Sequence, residues 1–387
     1  MKVLHTADWH LGKQLGGFSL LADQKIALAH LVEIAAEHDV AAVIIAGDIY
    51  DRAIPPTDAI EAFDGFLEEI AVKQGRAVIA ISGNHDGPER LGFGARFLAS
   101  RRVYLRTRFE DRLAPIALEH GGEGAEIVTL PFLEPELARL ALGDDSIRDH
   151  DSAVRAALAG VPARKVDRAG ASLPRLLVAH LFTVGGHDSP ESERPLAVGT
   201  AGLVSPASLA GYDYVALGHL HRAQRVGTNE AIRYAGSLLK YSAAEATTTK
   251  SATLVTLGEG APVIEELPLR GGRDLVVLEG TFAELVSGPS LEGHEGDFVV
   301  ARYTDGAFVI DAAARLRERF PFLLQCLPKG VASLLESSPS HAARPDVPRE
   351  LLTEFWAYAQ VPLPLTEAHV ALFEEALRAA ADDGEPA

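Results

Sequence analysis

Cysteine is nearly absent from this sequence of 387 residues, which contains only Cys326. One cysteine cannot form an internal disulfide framework, and it cannot build the thiolate clusters that hold structural zinc. A metal site in this chain would therefore have to use oxygen and nitrogen ligands. The scarcity of cysteine is also typical of proteins from a reducing compartment.

Long apolar runs are missing as well. No stretch approaches the roughly 20 apolar residues that a membrane-spanning helix needs. Residues 1–20 lack a basic start followed by a long apolar core, so we expect no secretory signal. Together with the scarcity of cysteine, these absences lead us to expect a cytoplasmic protein with no membrane partner.

Positive charge is in deficit, with 36 Lys and Arg against 54 Asp and Glu and a formal net charge of −18. This balance argues against a protein that binds DNA simply by neutralising its phosphates. A nucleic-acid enzyme remains compatible with it if bound metals and local arginines supply the cations. Residues 90–112 contain seven arginines against two acidic residues, and this cluster fits either a DNA-binding surface or a solvated helix face.

The phosphate-binding loop of ATPases, Gly-x-x-x-x-Gly-Lys-Ser/Thr, does not occur in the chain. We therefore expect that the chain does not hydrolyse ATP itself.

The length predicts more than one domain, because 387 residues are too many for one ordinary core. Short apolar runs alternate with helical patterns over the first part of the chain, which indicates an α/β fold. Arg270-Gly271-Gly272-Arg273 predicts a linker, and the polar residues 337–348 predict a flexible connector. The predicted parts are a main domain, a small α/β capping domain and a C-terminal helical tail, at residues 1–270, 271–335 and 336–387.

Five stretches place side chains of the metal-ligand type directly after a predicted strand. They are Asp8-Trp9-His10, Gly47-Asp48-Ile49-Tyr50-Asp51, Gly83-Asn84-His85-Asp86, His180 and Gly218-His219-Leu220-His221. A single Asp-x-His, Gly-Asp turn or lone histidine is better explained as an ordinary turn or core residue. Five such stretches together indicate one site, because α/β folds build sites at the carboxyl ends of strands. If the backbone stays extended at Asp8 and His10, their side chains point to the same side.

The ligand types in these stretches define the chemistry of the predicted site. Two carboxylates, one amide oxygen and four imidazoles suit Mn, Fe, Zn or Mg ions, and the residues are Asp8, Asp48, Asn84, His10, His180, His219 and His221. Asp48 can bridge two cations, because a carboxylate has two oxygens. Two divalent cations would exceed the charge of the two carboxylates and leave a positive centre that attracts a phosphate.

These motifs resemble those of the calcineurin-like metallophosphoesterases. Three longer stretches are similar to the nuclease branch of that family, whose members work with a separate SbcC-type ATPase; they are residues 5–12, 216–224 and 234–237. The resemblance is strong over residues 1–270 and concerns only the layout beyond them. It implies a four-layer αββα sandwich, in which two β-sheets are flanked by helices.

The resemblance also implies a role for each site residue. One metal would be held by Asp8, His10, Asp48 and His221, and the other by Asp48, Asn84, His180 and His219. His85 would face the scissile phosphate, stabilise the transition state and protonate the leaving oxygen, and Asp51 would orient His85. The expected cofactors are two divalent metal ions, with Mn²⁺ as the first choice.

Three functions remain open from the sequence. The leading hypothesis is a metal-dependent DNA nuclease in double-strand break repair, recombination and replication. By resemblance it would be a 3′ to 5′ exonuclease on duplex ends and an endonuclease on single strands and hairpins. A small-molecule phosphatase or cyclic-nucleotide phosphodiesterase is the first alternative, which the long extension after residue 270 disfavours. A partner-bound scaffold with an incidental metal site is the second, which the complete ligand set disfavours.

Two apolar surfaces are candidates for partners. In the predicted helix 58–70 one face carries Ile60, Phe63, Leu67 and Ile70, and the predicted helix 89–98 adds Phe93 and Phe97. Such a face usually packs on its own core, but the resemblance implies a homodimer here.

The predicted tail helices, 348–358 and 366–380, also carry apolar stripes. Two short amphipathic helices bury little against each other, so they need another surface. The resemblance implies the coiled-coil base of the SbcC-type ATPase, and packing back on residues 271–335 is the alternative.

Overall fold

The computed structural model describes residues 1–166, 170, 172–186, 202–258, 260–305, 309–330, 352, 356 and 365–373. The predicted connector at 337–348 lies outside these residues, as do most of the first tail helix and residues 374–380 of the second. The chain divides into two compact units, Met1–Leu275 and Val276–Ala387. A further division of the second unit into cap and tail stays a prediction.

The strands of the described residues are numbered in chain order. They are β1 (Lys2–Thr6), β2 (Gln14–Leu15), β3 (Phe18–Ser19), β4 (Ala42–Ile45), β5 (Ala77–Ile81), β6 (Val103–Arg106), β7 (Ile116–His120), β8 (Glu123–Leu130), β9 (Arg175–His180), β10 (Phe182–Thr183), β11 (Leu203–Val204), β12 (Tyr214–Gly218), β13 (Gln224–Val226), β14 (Asn229–Tyr234), β15 (Ser251–Thr256), β16 (Val263–Pro268), β17 (Leu275–Gly280), β18 (Phe298–Tyr303) and β19 (Leu323–Pro328).

The α-helices are α1 (Leu21–Glu37), α2 (Thr57–Leu67), α3 (Pro88–Leu91), α4 (Ala95–Leu98), α5 (Pro135–Leu142), α6 (His150–Ala159), α7 (Phe282–Ser287) and α8 (Ala312–Arg317). Helix α2 continues into a π-helical turn at Glu68–Lys73. Among the helices of the described residues, none combines the length and the apolar character that crossing a membrane requires.

Two six-stranded sheets form the first unit. The first sheet has the order β16-β15-β1-β4-β5-β6, in which β1, β4, β5 and β6 are parallel. The second has the order β13-β14-β12-β9-β8-β7, in which β14, β12, β9 and β8 are parallel. Every residue of β4 and β5 is buried, as expected for parallel strands covered on both faces.

The two sheets pack face to face through one apolar cluster. It contains Ile44 and Ile79 from the first sheet and Ile127, Val178 and Ala216 from the second. Alternate residues of the second sheet point the other way and form a separate cluster with α5 and α6. Helix α1 packs on α2, and the π-helical turn that continues α2 packs on β5 of the first sheet. The mixed α/β sandwich with helices outside both sheets confirms the predicted fold class.

Helices α3 and α4 replace the single helix predicted for residues 89–98. The break falls between Gly92 and Gly94, where Gly94 has a φ of 73°. This is the left-handed region, which glycine enters without a steric penalty and which ends a helix. Phe93 and Phe97 are 86% and 75% exposed, so both aromatic rings lie on the surface.

Phe63 and Ile70 are core residues and not surface residues. Phe63 is 5% exposed and Ile70 is fully buried. The Phe63 ring packs edge-to-face on Trp9 and Tyr50, with ring centroids 6.1 and 5.9 Å apart. The interpretation of these two side chains as part of a partner surface is therefore wrong, whereas Ile60 remains 46% exposed.

The second unit contains a three-stranded sheet in the order β17-β18-β19. Its core includes Leu278, Phe282, Val299, Leu316 and Phe320, which join the sheet to α7 and α8. Helix α7 begins with a capping box formed by Thr281 and Glu284. The described part of this unit is thus a small α/β structure.

Candidate metal centre

All five motifs meet at the carboxyl ends of β1, β4, β5, β9 and β12. Main-chain hydrogen bonds join the first two motifs. Asp8 N–H donates to the Gly47 carbonyl at 3.1 Å, and His10 N–H donates to the Asp48 carbonyl at 2.9 Å. Six of the predicted ligands are at most 2% exposed, namely Asp8, His10, Asp48, His180, His219 and His221. Asn84 and His85 are half-buried.

Four of the predicted ligands have a left-handed backbone. The φ angle is 51° at Asp8, 44° at His10, 49° at Asp48 and 110° at His219. Non-glycine residues rarely adopt such angles, which cost on the order of 1–3 kcal/mol each and cluster at functional sites. The extended backbone assumed for Asp8 and His10 is therefore wrong. Their ligand atoms still lie within 4.8 Å of each other and of Asp48, because the chain turns at both residues.

Gln24 holds this turn from α1. Its Nε2 donates to the carbonyls of Trp9 and His10, at 3.0 and 2.8 Å, and its Oε1 accepts from Gly12 N–H at 3.1 Å. Gln24 is fully buried. Gln24 belongs to none of the sequence motifs. The signal that could have identified it is its position: it is a polar residue four positions before Leu28, on the buried face of α1.

Asp48 lies at the centre of the site. Its Oδ1 accepts from His85 N–H at 2.9 Å, and its Oδ2 lies 3.4 Å from His180 Nε2 and 3.8 Å from His10 Nε2. Within the described part of the chain, Oδ2 is a buried oxygen that accepts no hydrogen bond. A buried carboxylate oxygen in that position is costly unless a cation compensates it. Burial raises the pKa of Asp48, but the positive charges of His180, His10 and His85 outweigh burial and hold that pKa far below its usual range.

Gly83 allows Asp48 to approach the third motif. A Cβ atom at Gly83 would overlap Oδ1 and the main-chain nitrogen of Asp48. The Gly-Asn-His-Asp motif thus needs its glycine for close packing against the neighbouring motif.

On one side of Asp48, His10 and His221 face each other with their Nε2 atoms 3.1 Å apart. Only one proton can lie between two ring nitrogens at this distance, because two N–H groups pointing at each other would repel. A cation between them would instead accept a lone pair from each ring. Together with Asp8 and Asp48, they form a set of nitrogen and oxygen donors suited to an ion of intermediate hardness.

On the other side of Asp48, His180 and His219 lie around Asn84. Asn84 Oδ1 is 2.9 Å from His180 Nε2 and 3.3 Å from His219 Nδ1. His180 Nδ1–H donates to the Ala46 carbonyl at 2.9 Å, which turns Nε2 toward the side-chain oxygens of Asn84 and Asp48. Burial lowers the pKa of His180, but the charges of Asp48 and Asp8 outweigh it and raise that pKa to about 10. The oxygens around Nε2 therefore favour a positive charge, either a proton or a metal ion.

His85 lies beside the predicted ligands. Its Nδ1 donates to the main-chain carbonyl of Asp51 at 2.9 Å, and its ring stands edge-to-face to that of His10 at 4.8 Å. The Asp51 carboxylate forms an ion pair with Lys13 at 2.7 Å. The main chain of Asp51 thus contributes to the orientation of His85, and the ligand atoms of His85 and of the Asp51 carboxylate lie within 4.8 Å of each other. The catalytic roles of His85 and Asp51 stay predictions.

Asp86 joins the second and third motifs, a role that the motif pattern alone did not reveal. Its carboxylate accepts from the backbone N–H groups of Gly83, Tyr50 and Ile49, at 2.9, 2.9 and 3.2 Å. Burial, with the charge of Asp48 acting in the same direction, raises the pKa of Asp86 to about 6. The fourth residue of Gly-Asn-His-Asp therefore holds two ligand loops together.

A buried ion pair lies behind His221. Glu245 Oε1 is 3.4 Å from His221 Nδ1, and the other carboxylate oxygen contacts the ammonium group of Lys250. Glu245 is fully buried and Lys250 is 9% exposed. Neither residue was predicted from the sequence, because both lie outside the strand-end motifs and have no metal-ligand spacing.

Comparison with known proteins decides the family. Residues 1–223 match the calcineurin-like phosphoesterases, which is more than half of the chain and includes every predicted site residue. The chain belongs to the calcineurin-like phosphoesterase family. Among curated proteins, the SbcD subunit of the SbcCD nuclease from Staphylococcus epidermidis is 32% identical over 326 residues, which cover 84% of each chain. These two matches confirm the resemblance and identify the chain as a metal-dependent phosphodiester hydrolase homologous to that nuclease subunit.

Two solved structures are also similar. A dimetal phosphatase from Danio rerio is 14% identical with a TM-score of 0.39, and the match covers 70% of this chain and 96% of that one. GAP50, described as the anchor in the inner membrane complex of Plasmodium, is 12% identical with a TM-score of 0.43, over 71% of this chain and 90% of that one. Similarity at this level carries no argument about activity.

Proposed function

We propose that this chain is a two-metal-dependent DNA nuclease. The convergence of seven oxygen and nitrogen donors from five motifs around the buried Asp48 carries this proposal. One ion would be held by Asp8, His10, Asp48 and His221, and the other by Asp48, Asn84, His180 and His219. The hydrogen-bond-free Oδ2 of Asp48 and the paired imidazoles on either side of it support a cation on each side.

The chemistry follows from the positions of the side chains. Two divalent ions held there would supply positive charge for the phosphate and would activate water at neutral pH. His85 keeps its Nδ1 proton on the Asp51 carbonyl, so its Nε2 is the atom that would exchange a proton with the substrate. From there His85 would stabilise charge on the phosphate and protonate the leaving oxygen.

DNA is the proposed substrate, because the curated relative is a nuclease subunit. By the same relationship the activity would be 3′ to 5′ exonuclease on duplex ends and endonuclease on single strands and hairpins. The process served would be double-strand break repair, recombination and replication. We propose Mn²⁺ as the ion, because the mixed carboxylate, amide and imidazole ligands suit a metal of intermediate hardness.

Two partners belong to the proposal. An SbcC-type ATPase would bind the tail, residues 336–387, because the curated relative is a subunit of the SbcCD nuclease and the predicted amphipathic tail helices need another surface. A second copy of this chain would bind at the surface that carries Ile60, Phe93 and Phe97, which are exposed large apolar side chains.

The function is tested by incubating the purified protein with Mn²⁺ and labelled duplex, hairpin and single-stranded DNA, beside a small aryl phosphate. We expect cleavage of DNA that EDTA abolishes, and little hydrolysis of the aryl phosphate. Rapid hydrolysis of the aryl phosphate with intact DNA would establish the small-molecule phosphatase in place of the nuclease.

A further inference from the structure

His221 is held from the side opposite its metal-facing atom. Its Nε2 points toward His10 Nε2 at 3.1 Å, and its Nδ1 lies 3.4 Å from Glu245 Oε1. A carboxylate accepts from an N–H group, so this contact places the ring proton on Nδ1. The lone pair of Nε2 is then directed to the metal centre.

Glu245 is itself fixed by Lys250 and Ser242. Ser242 Oγ donates to Oε1 of Glu245 at 3.2 Å, and the Lys250 ammonium group contacts Oε2. Lys250 Nζ also donates to the main-chain carbonyl of His221 at 2.8 Å and to Ser237 Oγ at 2.9 Å. Lys250 therefore holds both the carboxylate behind the His221 ring and the backbone of His221.

Glu245 and Lys250 form a buried ion pair with no net charge. A lone carboxylate there would carry a large desolvation penalty, and the ammonium group with its three contacts offsets much of it. The pair can thus present a full carboxylate to His221 without adding net charge to the centre. His180 differs, because its Nδ1 donates to a neutral carbonyl, that of Ala46.

We propose that Glu245 and Lys250 are positioning residues that orient His221 and raise the affinity for the ion held by Asp8, His10, Asp48 and His221. This proposal rests on the proposed function, in which His221 is a metal ligand. A carboxylate that accepts from the rear N–H of a ligand histidine raises its basicity, and loss of such a partner weakens metal affinity by about 10–100-fold. Neither Glu245 nor Lys250 is bonded to the proposed ligand atoms of His180, which face Asn84 and Asp48, so the affinity for the second ion should be unchanged.

The test is calorimetric titration of Mn²⁺ into wild-type protein and into Glu245→Gln, Lys250→Met and the double variant, with thermal unfolding of each metal-free protein. We expect Glu245→Gln to lower the affinity for one of the two Mn²⁺ ions by about 10–100-fold and to leave the affinity for the other unchanged. The single variants each leave a buried group without its charge partner, so both should unfold at a lower temperature than the wild type.

The double variant separates positioning from stability. Removing both charges should restore much of the unfolding temperature, because no charge is left unpaired, whereas Mn²⁺ affinity should stay weak. Glu126→Gln is the matched control, since Glu126 is equally buried and its carboxylate contacts Arg175 at 3.0 Å at the opposite end of β9 from His180. This control should lower the unfolding temperature and leave both Mn²⁺ affinities unchanged.

The outcomes distinguish this inference from the function on which it rests. Wild-type affinity for both ions in the double variant would overturn the positioning role while leaving the nuclease intact. Fewer than two Mn²⁺ ions bound by the wild-type chain would overturn the two-metal function itself.

Discussion

The imidazole of His85 donates through Nδ1 to the main-chain carbonyl of Asp51, 2.9 Å away. Since this contact uses no side-chain atom of Asp51, the orientation of His85 should survive replacement of the Asp51 carboxylate. The other ring nitrogen, Nε2, is the one that would exchange a proton with the substrate.

For His85→Ala we expect a loss of DNA cleavage of about 10²–10⁴-fold, the usual range for a general acid. Metal binding and DNA binding should persist, because no predicted ligand is removed. Asp51→Asn, which keeps the main-chain carbonyl, should lose much less activity. Steady-state cleavage rates with Mn²⁺ measure both, and near-normal cleavage by His85→Ala would remove His85 from the mechanism.

Asp48→Ala should lose both metal ions, because Asp48 is the one predicted ligand common to the two sets. Metal analysis of protein dialysed against Mn²⁺ should give two ions per wild-type chain and fewer than one per variant chain. Two ions on the variant would show that Asp48 is not a bridge. Asp58→Ala, an exposed change on α2, is a control that should keep both ions.

Gln24→Leu should weaken metal binding and lower stability. The change removes one of two donors from the carbonyls of Trp9 and His10, which keep the Tyr241 hydroxyl and Lys13 N–H. It also leaves Gly12 N–H without its acceptor, and a buried polar group left unsatisfied costs about 1–3 kcal/mol. Gln74→Leu is the matched control, since Gln74 also donates to a carbonyl, that of Val32 at 3.0 Å, but lies outside the metal loops. Chemical unfolding and Mn²⁺ titration measure both variants, and equal effects would contradict a specific role for Gln24.

Phe97→Glu should convert the proposed homodimer into a monomer without unfolding the chain, because Phe97 is exposed within the chain and would be buried by the second copy. Phe63→Glu should instead unfold the protein, because Phe63 packs on Trp9 and Tyr50. Light scattering and circular dichroism separate the two effects. A monomeric wild type, or a Phe97→Glu variant with the mass of a dimer, would refute the assigned interface.

His5 should make the protein less stable in acid. Burial lowers the pKa of His5 to about 3 from 6.5, with the Leu217 carbonyl opposing and the charge of Arg233 reinforcing the shift. Between these two values the unfolded chain binds a proton at this position that the folded chain excludes. Stability is therefore complete above about pH 6.5 and falls with pH, by about 1.4 kcal/mol for each unit below 6.

The variant His5→Gln isolates this contribution, because glutamine does not titrate. Urea unfolding at pH 7 and pH 5 should show the stability advantage of the wild type shrinking as the pH falls. An advantage that is the same at both pH values would show that folding does not lower the pKa of His5.

Much of the candidate site could be predicted from the sequence, because its ligands follow strands whose apolar character is local. Asp48 comes directly after a buried run, and the geometry of parallel strands brings such residues to one edge. Helix α1, Leu21–Glu37, also follows from a local pattern, since Leu28, Leu31 and Ile34 recur at helical spacing and are buried.

The residues that support the ligands could not be predicted in the same way. Gln24 and Glu245 act on main chain and side chains that are distant in sequence, and neither belongs to a motif with a fixed spacing. Phe63 was misjudged for a related reason. Helical periodicity shows that a face is apolar, but only tertiary packing shows whether Trp9 or a partner covers it.

The left-handed backbone at Asp8, His10, Asp48 and His219 restricts which inactive forms of this protein can be built. Asparagine is among the few residues that tolerate a positive φ, whereas valine, isoleucine and threonine are strongly disfavoured there. Asp8→Asn and Asp48→Asn would each remove a charge and preserve the path of the chain. They are therefore the substitutions of choice for trapping uncut DNA on an otherwise native surface.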